Sequence, residues 1–214
     1  MPELSSRDQQ AKKAVFDKWS KYYDSDHLWH WYFNAGYKKV VFYLIKENVS
    51  LGRSLDIGCG TGGLEEIILK NSFKSNTLAI DISEEMVKVA RQKIVDQQIE
   101  FLVGDFNDLK LQKESFNNIF ILNNLHHFTI IKDFFSKIDS LLLKGGHLFL
   151  IDPNADGILR KFWTVILDNV FFRHEGDVKY HSFKLVDKIL KELKYSIIIS
   201  KNFYFFSKFC IYRK

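Results

Sequence analysis

The stretch Ser54 to Leu64, SLDIGCGTGGL, constrains this chain more than any other. An apolar run meets an aspartate, and then Gly58, Gly60, Gly62 and Gly63 fall within six residues. Glycine costs conformational entropy wherever the backbone is ordinary, so this density marks a turn that a neighbour approaches closely. A short strand that ends in glycines and opens a helix is the ligand-facing corner of an open α/β sheet.

The residues that follow keep to that pattern. LEEIILK reads as a helix and TLAID as a second strand. Ser83 is an N-cap, Glu84 and Glu85 favour the dipole of the first turn, and Met86, Val87, Ala90 and Ile94 form one apolar face. IEFLVGD and FNNIFILNN are the third and fourth strands. Thr129 to Leu143 is predicted helical, stopped by Gly145 and Gly146. HLFLIDP is the fifth strand. The tail YSIIISKNFYFFSKFCIYRK splits near Asn202 into two strands too close for a parallel crossover, so they pair antiparallel.

Alternation of this kind predicts an α/β fold, a doubly wound and mostly parallel sheet with helices on both faces. Residues 1–50 read as an N-terminal helical cap. Residues 51–214 form the core, with a helical insertion at about 154–182 that includes a helix from Ile158 to Phe172, and a further helix from Phe183 to Leu193 follows.

With 214 residues, 46% of them hydrophobic and 27% charged, the chain is expected to be one soluble domain with an appended cap. The net charge of +5 is spread over scattered lysines, which predicts a solvated basic surface and no nucleic-acid groove. Cys59 and Cys210 have neither disulfide nor zinc spacing, so no metal site and a reducing cytoplasm are expected. The N-terminal residues are polar, unlike a secretory signal. No apolar run approaches the ~18 residues of a membrane span, so stable membrane insertion is not expected.

Gly58, Gly60 and Gly63 also satisfy G-x-G-x-x-G, so the loop alone admits a nicotinamide-dependent oxidoreductase. Three features separate the possibilities. Asp56 precedes the glycines, where it would repel a pyrophosphate but tolerate an ammonium or sulfonium group. Asp81 ends the second strand and can accept both ribose hydroxyls, a feature both cofactor types share. Asp105 in GDF ends the third strand, where it can accept from an adenine amino group while Phe106 packs on the ring.

With these motifs the chain resembles the class I S-adenosylmethionine-dependent methyltransferases, from Ser54 to Pro153 and more loosely to the C-terminus. LDIGCGTG resembles that family's first motif, AIDIS its second-strand acid, VGDF its adenine motif, FNNIFILNNLHHF its fourth strand and LLLKGGHLFLIDPN its fifth. The family closes a seven-stranded sheet with a reversed last strand, as the tail predicts. The resemblance implies S-adenosyl-L-methionine as cofactor. It implies that Gly58, Cys59 and Gly60 line the methionine part and that Asp56 orients its amino group. Asp81 would then hold the ribose with Ile82 beside the adenine, Asp105 and Phe106 the adenine edge and face, and Asn123 would lie near the sulfonium. Met86 is placed to cover the adenine, although its spacing fits core packing equally.

His126 and His127 follow the fourth strand at the mouth where an acceptor sits, and imidazole titrates in the range of a general base. The competing role is packing against the next helix. Tyr23, Trp29 and His30 from the cap, and Trp163, His174, Tyr180 and His181 from the insertion, are candidates for an acceptor pocket, with core packing the commoner fate of such aromatics. So many rings favour a small aromatic or apolar acceptor, methylated at oxygen, nitrogen or carbon. NNLH in place of an Asn-Pro-Pro-aromatic sequence disfavours nucleobase amino groups and glutamine side chains. A non-catalytic binding protein of the same fold is the third possibility. The oligomeric state, monomer or homodimer, is left open.

Overall fold

The computed structural model describes residues 6–25, 27–157, 178–204 and 206–214. Two helices, α1 (Ser6–Tyr23) and α2 (His27–Lys46), form the cap. The core then runs β1 (Arg53–Ile57), α3 (Gly63–Lys70), β2 (Asn76–Asp81), α4 (Glu84–Lys93), β3 (Ile99–Val103) and β4 (Phe116–Leu122). A single 3-10 turn (Leu125–His127) leads to α5 (Ile131–Leu141), β5 (Leu142–Pro153), α6 (Phe183–Glu192), β6 (Ser196–Phe203) and β7 (Ser207–Arg213). The expected helix from Ile158 to Phe172 lies outside the described residues.

The seven strands stand in the order β3-β2-β1-β4-β5-β7-β6. β1 to β5 pair in parallel, and β7 runs antiparallel to both β5 and β6. The predicted tail hairpin is therefore present, and its second strand is inserted between β5 and β6. The order reverses between β1 and β4, which opens the crevice at the carboxyl ends of these strands.

Alternation along each strand sends side chains to two layers. Leu55, Ile57, Ile119, Ile121, Leu148 and Leu150 join α5 and α6 on one face. Phe120, Leu122, Phe149 and Ile151 face Tyr37, Val40, Val41 and Leu44 of α2 on the other. The cap helix α2 is thus an integral layer of the core. Ser83 caps α4 as predicted, accepting from the Met86 N–H at 3.2 Å.

One boundary differs from expectation. Gly145 and Gly146 do not stop a helix; α5 ends at Leu141 and β5 already begins at Leu142. The Gly145 N–H donates to the Lys214 carbonyl (2.8 Å), and the Lys214 N–H donates to that of Gly146 (3.0 Å). A Cβ on Gly146 would lie 2.8 Å from the Asn117 carbonyl oxygen. The glycines therefore serve close strand contacts set by residues remote in sequence.

Candidate active site

An open cavity lies at the carboxyl ends of β1, β2, β3 and β4. Its floor is the glycine loop. Gly58 and Gly60 have φ of +78° and +55°, the left-handed region that favours glycine. The Gly58 and Cys59 N–H groups donate to the Ile80 carbonyl at 2.8 and 3.0 Å, which ties the loop to β2. A Cβ on Gly58 would stand 2.3 Å from the Asn124 amide nitrogen. That amide donates to the Ile57 carbonyl (3.0 Å), so Gly58 is bare partly to admit a clamp from the loop after β4. At Gly60 the nearest atoms are those of the Tyr23 ring at 3.7 Å, across the cavity wall.

Asp81 accepts from the Gly60 N–H at 2.8 Å and from the Ser83 N–H at 2.9 Å. Burial pushes its pKa up to about 6, and these two donors oppose that rise. Ile82, Met86, Asp105 and Phe106 line the same half of the cavity. Met86 is also buried in the core, so it lines the cavity from a packed position. Phe106 meets Phe128 and Phe134 edge-on, with centroids 6.2 and 5.6 Å away. Sequence inspection missed Lys137 of α5, whose amine donates to the carbonyls of Phe106, Asn107 and Leu109 at 2.5, 2.9 and 2.8 Å and pins the turn that presents Asp105.

The other half is aromatic. Phe16, Trp19 and Tyr23 of α1 and Tyr32 and Phe33 of α2 line it with Phe206, Asn123, His126 and His127. Asn123, in the left-handed region at φ +58°, accepts from the Tyr32 hydroxyl (3.0 Å), which also meets Ser207 Oγ (2.6 Å). His127 packs edge-on against Phe16 at 5.3 Å between centroids. His126 Nδ1 lies 3.0 Å from Asp152 Oδ1, which also accepts from the Leu125 N–H (3.1 Å). Both His126 and Asp152 are buried. Asp152 was not anticipated, because only pairing of β4 with β5 sets it beside the histidines.

Helix α1 is latched across this cavity. Asp17 accepts from Ser83 Oγ at 2.6 Å, and Asp24 accepts from Thr61 Oγ1 at 2.7 Å and from Lys93 at 2.8 Å. The latch places the Tyr23 ring, stacked on Phe33 at 5.3 Å, over the glycine loop.

Several expected residues lie elsewhere. The Asp56 side chain is buried under the loop, away from the cavity lining, beside Glu65 of α3. Burial raises the pKa of Asp56 and pushes that of Glu65 up to about 7. Alternation explains the placement: Leu55 and Ile57 face one layer, so Asp56 must face the other. Cys59 points into the cluster of Ala79, Val87, Ala90 and Ile94, and burial raises its thiol pKa, against a nucleophilic role. His30 is exposed beside a shallow depression with Asp24 and Asn34. His181 is buried, its Nε2 donating to the Phe128 carbonyl (2.8 Å), a packing contact away from the cavity lining. Tyr180 touches His126 from behind at 5.7 Å. Trp163 and His174 lie outside the described residues, as does the Trp29 side chain.

Residues 55–150 match the family described as "Methyltransferase domain". The match runs from β1 into β5, so the core of the chain is similar to that family over somewhat under half of its length. Over 185 residues it is 28% identical to an uncharacterized protein of Methanocaldococcus jannaschii, covering 86% of this chain and 82% of that one. It is 32% identical over 60 residues to malonyl-[acyl-carrier protein] O-methyltransferase of Priestia megaterium, which covers 28% of this chain and 22% of the relative. Among solved structures, magnesium protoporphyrin IX methyltransferase of Synechocystis with bound SAH superimposes with a TM-score of 0.73 at 20% identity, covering 97% of this chain and 99% of that one. The curated relatives matched above 30% identity share only about a quarter to half of their own length with it (22% to 51%). The reversed β7 and the family match set the nicotinamide alternative aside.

The family match and the SAH-bound neighbour indicate S-adenosylmethionine, and the cavity fits that group. Asp81 is a half-buried acceptor at the end of β2, Asp105 stands beside Phe106, and the bare backbone of Gly60 fronts the open space. Among the described residues no helix is long and apolar enough to cross a membrane, and no three His, Cys, Asp or Glu gather to hold a metal.

Proposed function

We propose that the protein transfers a methyl group from S-adenosylmethionine to a small aromatic or apolar acceptor. One observation carries this: a single cavity joins the Asp81–Asp105 half to a wall of six aromatic side chains and two histidines. A charged or sugar-like acceptor would lose its hydration there without replacement hydrogen bonds.

Asp81 holds the ribose hydroxyls, and Asp105 and Phe106 hold the adenine. Asp56 acts through the loop: buried with Glu65, it supports the backbone that faces the methionine part without touching it. The bound cofactor supplies an electrophilic methyl on a sulfonium. Asn123, fixed by Tyr32, stands at the boundary between the two halves and helps align the acceptor, and alignment alone supplies several kcal/mol of the barrier reduction. Where the acceptor must lose a proton, His126 receives it. Asp152 accepts a hydrogen bond from the ring Nδ1–H, which leaves Nε2 as the basic nitrogen, as in other carboxylate–histidine pairs. His127 with Phe16 forms the face on which the acceptor ring rests.

Calorimetry with S-adenosylmethionine and S-adenosylhomocysteine tests the proposal, followed by radiolabelled methyl transfer to a panel of phenols, amines and quinone precursors. Binding in the micromolar range and labelling of an apolar acceptor are expected. Failure of both ligands to bind would sink it, and labelling confined to sugars or nucleic acid would overturn the acceptor class.

A further inference from the structure

Helix α2 is apolar on two faces. Tyr32, Phe33, Tyr37, Val40, Val41, Tyr43 and Leu44 are buried against the sheet. On the outward side Trp31, Phe42 and Ile45 are 57%, 65% and 56% exposed. At ~100° per residue, Trp31, Ala35, Lys38, Phe42, Ile45 and Lys46 fall within an arc of about 100°. This stripe is thus as narrow and regular as a docking face, although the helix already has its core face. A helix turned entirely toward solvent on this side gains nothing from Trp, Phe and Ile there.

The stripe also has a sign of charge and a direction. Residues His27–Lys46 include no Asp or Glu, and Lys38 and Lys46 are exposed within the stripe. The next acid along the chain is Glu47, exposed and 3.4 Å from Lys46. At its N-terminal end the stripe continues as rings: Trp31 meets Tyr204, itself 40% exposed, at 5.0 Å. Tyr204 meets Tyr32 at 5.7 Å and Tyr32 meets Phe206 at 5.2 Å. Tyr32 and Phe206 are walls of the cavity.

We propose that the outer face of α2, with Tyr204, docks on a phospholipid bilayer that carries anionic headgroups. The aromatic and aliphatic side chains enter the interface while Lys38 and Lys46 meet lipid phosphates, the arrangement of an interfacial amphipathic helix. Docked this way, the ring path from Tyr204 to Phe206 turns the cavity wall toward the bilayer, where an apolar small molecule would be concentrated. Docking itself does not depend on what the cavity binds.

Co-sedimentation of the full chain with vesicles of phosphatidylcholine, and of phosphatidylcholine with about a quarter phosphatidylglycerol, tests the inference. The anionic vesicles should bind the protein at least about tenfold more tightly, and raised salt should erase most of that difference. Phe42→Ser with Ile45→Ser should weaken binding to anionic vesicles by about tenfold or more. Val95→Ser, at a position 94% exposed on another element, should leave it unchanged. Equal binding to both vesicle types, no binding to either, or no effect of the double substitution overturns the proposal. So does a stable dimer in size-exclusion chromatography that the double substitution dissolves, which would assign the face to a second copy of this chain.

Discussion

The two halves of the cavity are built differently. The cofactor half is made of backbone: loop N–H groups, strand ends and two carboxylates that stand where the sheet geometry puts them. The acceptor half is made of side chains from α1, α2, the turn after β4 and the β6–β7 turn. A backbone site tolerates little change and is repeated wherever the same donor is bound. A side-chain site can be rewritten one ring at a time, which lets one fold serve many acceptors. Substitutions in the first half should therefore abolish ligand binding, and those in the second should leave it intact.

The largest expected effect is at Gly58. Alanine there would have to hold φ near +78° with its Cβ 2.3 Å from the Asn124 amide. Either the loop or the Asn124 clamp must move. S-adenosylhomocysteine affinity measured by calorimetry should fall by about a hundredfold or more, with a stability loss of roughly 2–4 kcal/mol. Affinity within about threefold of wild type would break the contrast at its strongest point.

Asp81 comes next, and it adds a pH dependence. Asp81→Ala should weaken binding by about thirtyfold to a hundredfold, the worth of buried hydrogen bonds to a charged acceptor. In the proposed complex the carboxylate form would accept the ribose hydroxyls, and burial raises the pKa of Asp81 to about 6. Affinity should therefore be constant at high pH and decline as pH falls through about 6, where the group takes up a proton. The Asp81→Ala protein should show no such decline. A flat wild-type profile from pH 5 to 8 would place the ribose contact elsewhere.

These residues were also the most legible ones. Asp81 and Asp105 could be placed because each ends a parallel strand, and strand ends converge on the crevice by topology alone. The mostly parallel, doubly wound sheet and its reversed last strand followed from spacing and from the family resemblance. Asp56 was legible as an acid in the loop but not as a buried one, since Glu65 looked like any first-turn glutamate. The face of β1 it occupies was in fact visible in the alternation of Leu55 and Ile57. Gly145 and Gly146 could not be read because their partner is Lys214, at the far end of the sequence. The place of Asp152 beside His126 and the bond from Tyr32 to Asn123 were hidden for the same reason: these contacts span 26 and 91 residues. Acceptor-side function lives in such long-range contacts, and a local pattern does not record them.

The acceptor half can be challenged through Asp152. Asp152→Ala leaves His126 Nδ1 and the Leu125 N–H without their buried acceptor. Unfolding in urea should show a loss of about 2–3 kcal/mol. S-adenosylhomocysteine affinity should stay within about threefold, because Asp152 is not in the cofactor half. Asp152→Asn should recover part of the stability but not the proton-accepting tautomer of His126, so any acceptor that must be deprotonated should react more slowly with it. A large fall in cofactor affinity with either variant would erase the division between the halves.

The smallest expected effect concerns the floor beneath the cofactor half. Both Glu65 oxygens are buried with no hydrogen-bond partner among the described residues, beside the equally buried Asp56. Burial lifts the Glu65 pKa from 4.5 to about 7. Below pH 4.5 the folded and unfolded states both carry the proton, and the group does not affect stability. Between about 4.5 and 7 the unfolded chain releases it while the folded protein keeps it, so stability falls as pH rises. Above about 7 the loss is complete. Glu65→Gln removes this titration and should be more stable than wild type at pH 8 by on the order of 1–2 kcal/mol, with little difference at pH 4.5. Asp56 and Asp81, whose pKa values are also raised by burial, leave a residual slope of the same sign in both proteins. Urea midpoints at pH 4.5, 6 and 8 check the difference: parallel curves for the two proteins would mean that the proton is not held at Glu65. A convergent pair would show that the rigid half of the site rests on a buried acid pair that is tolerated at a cost in stability.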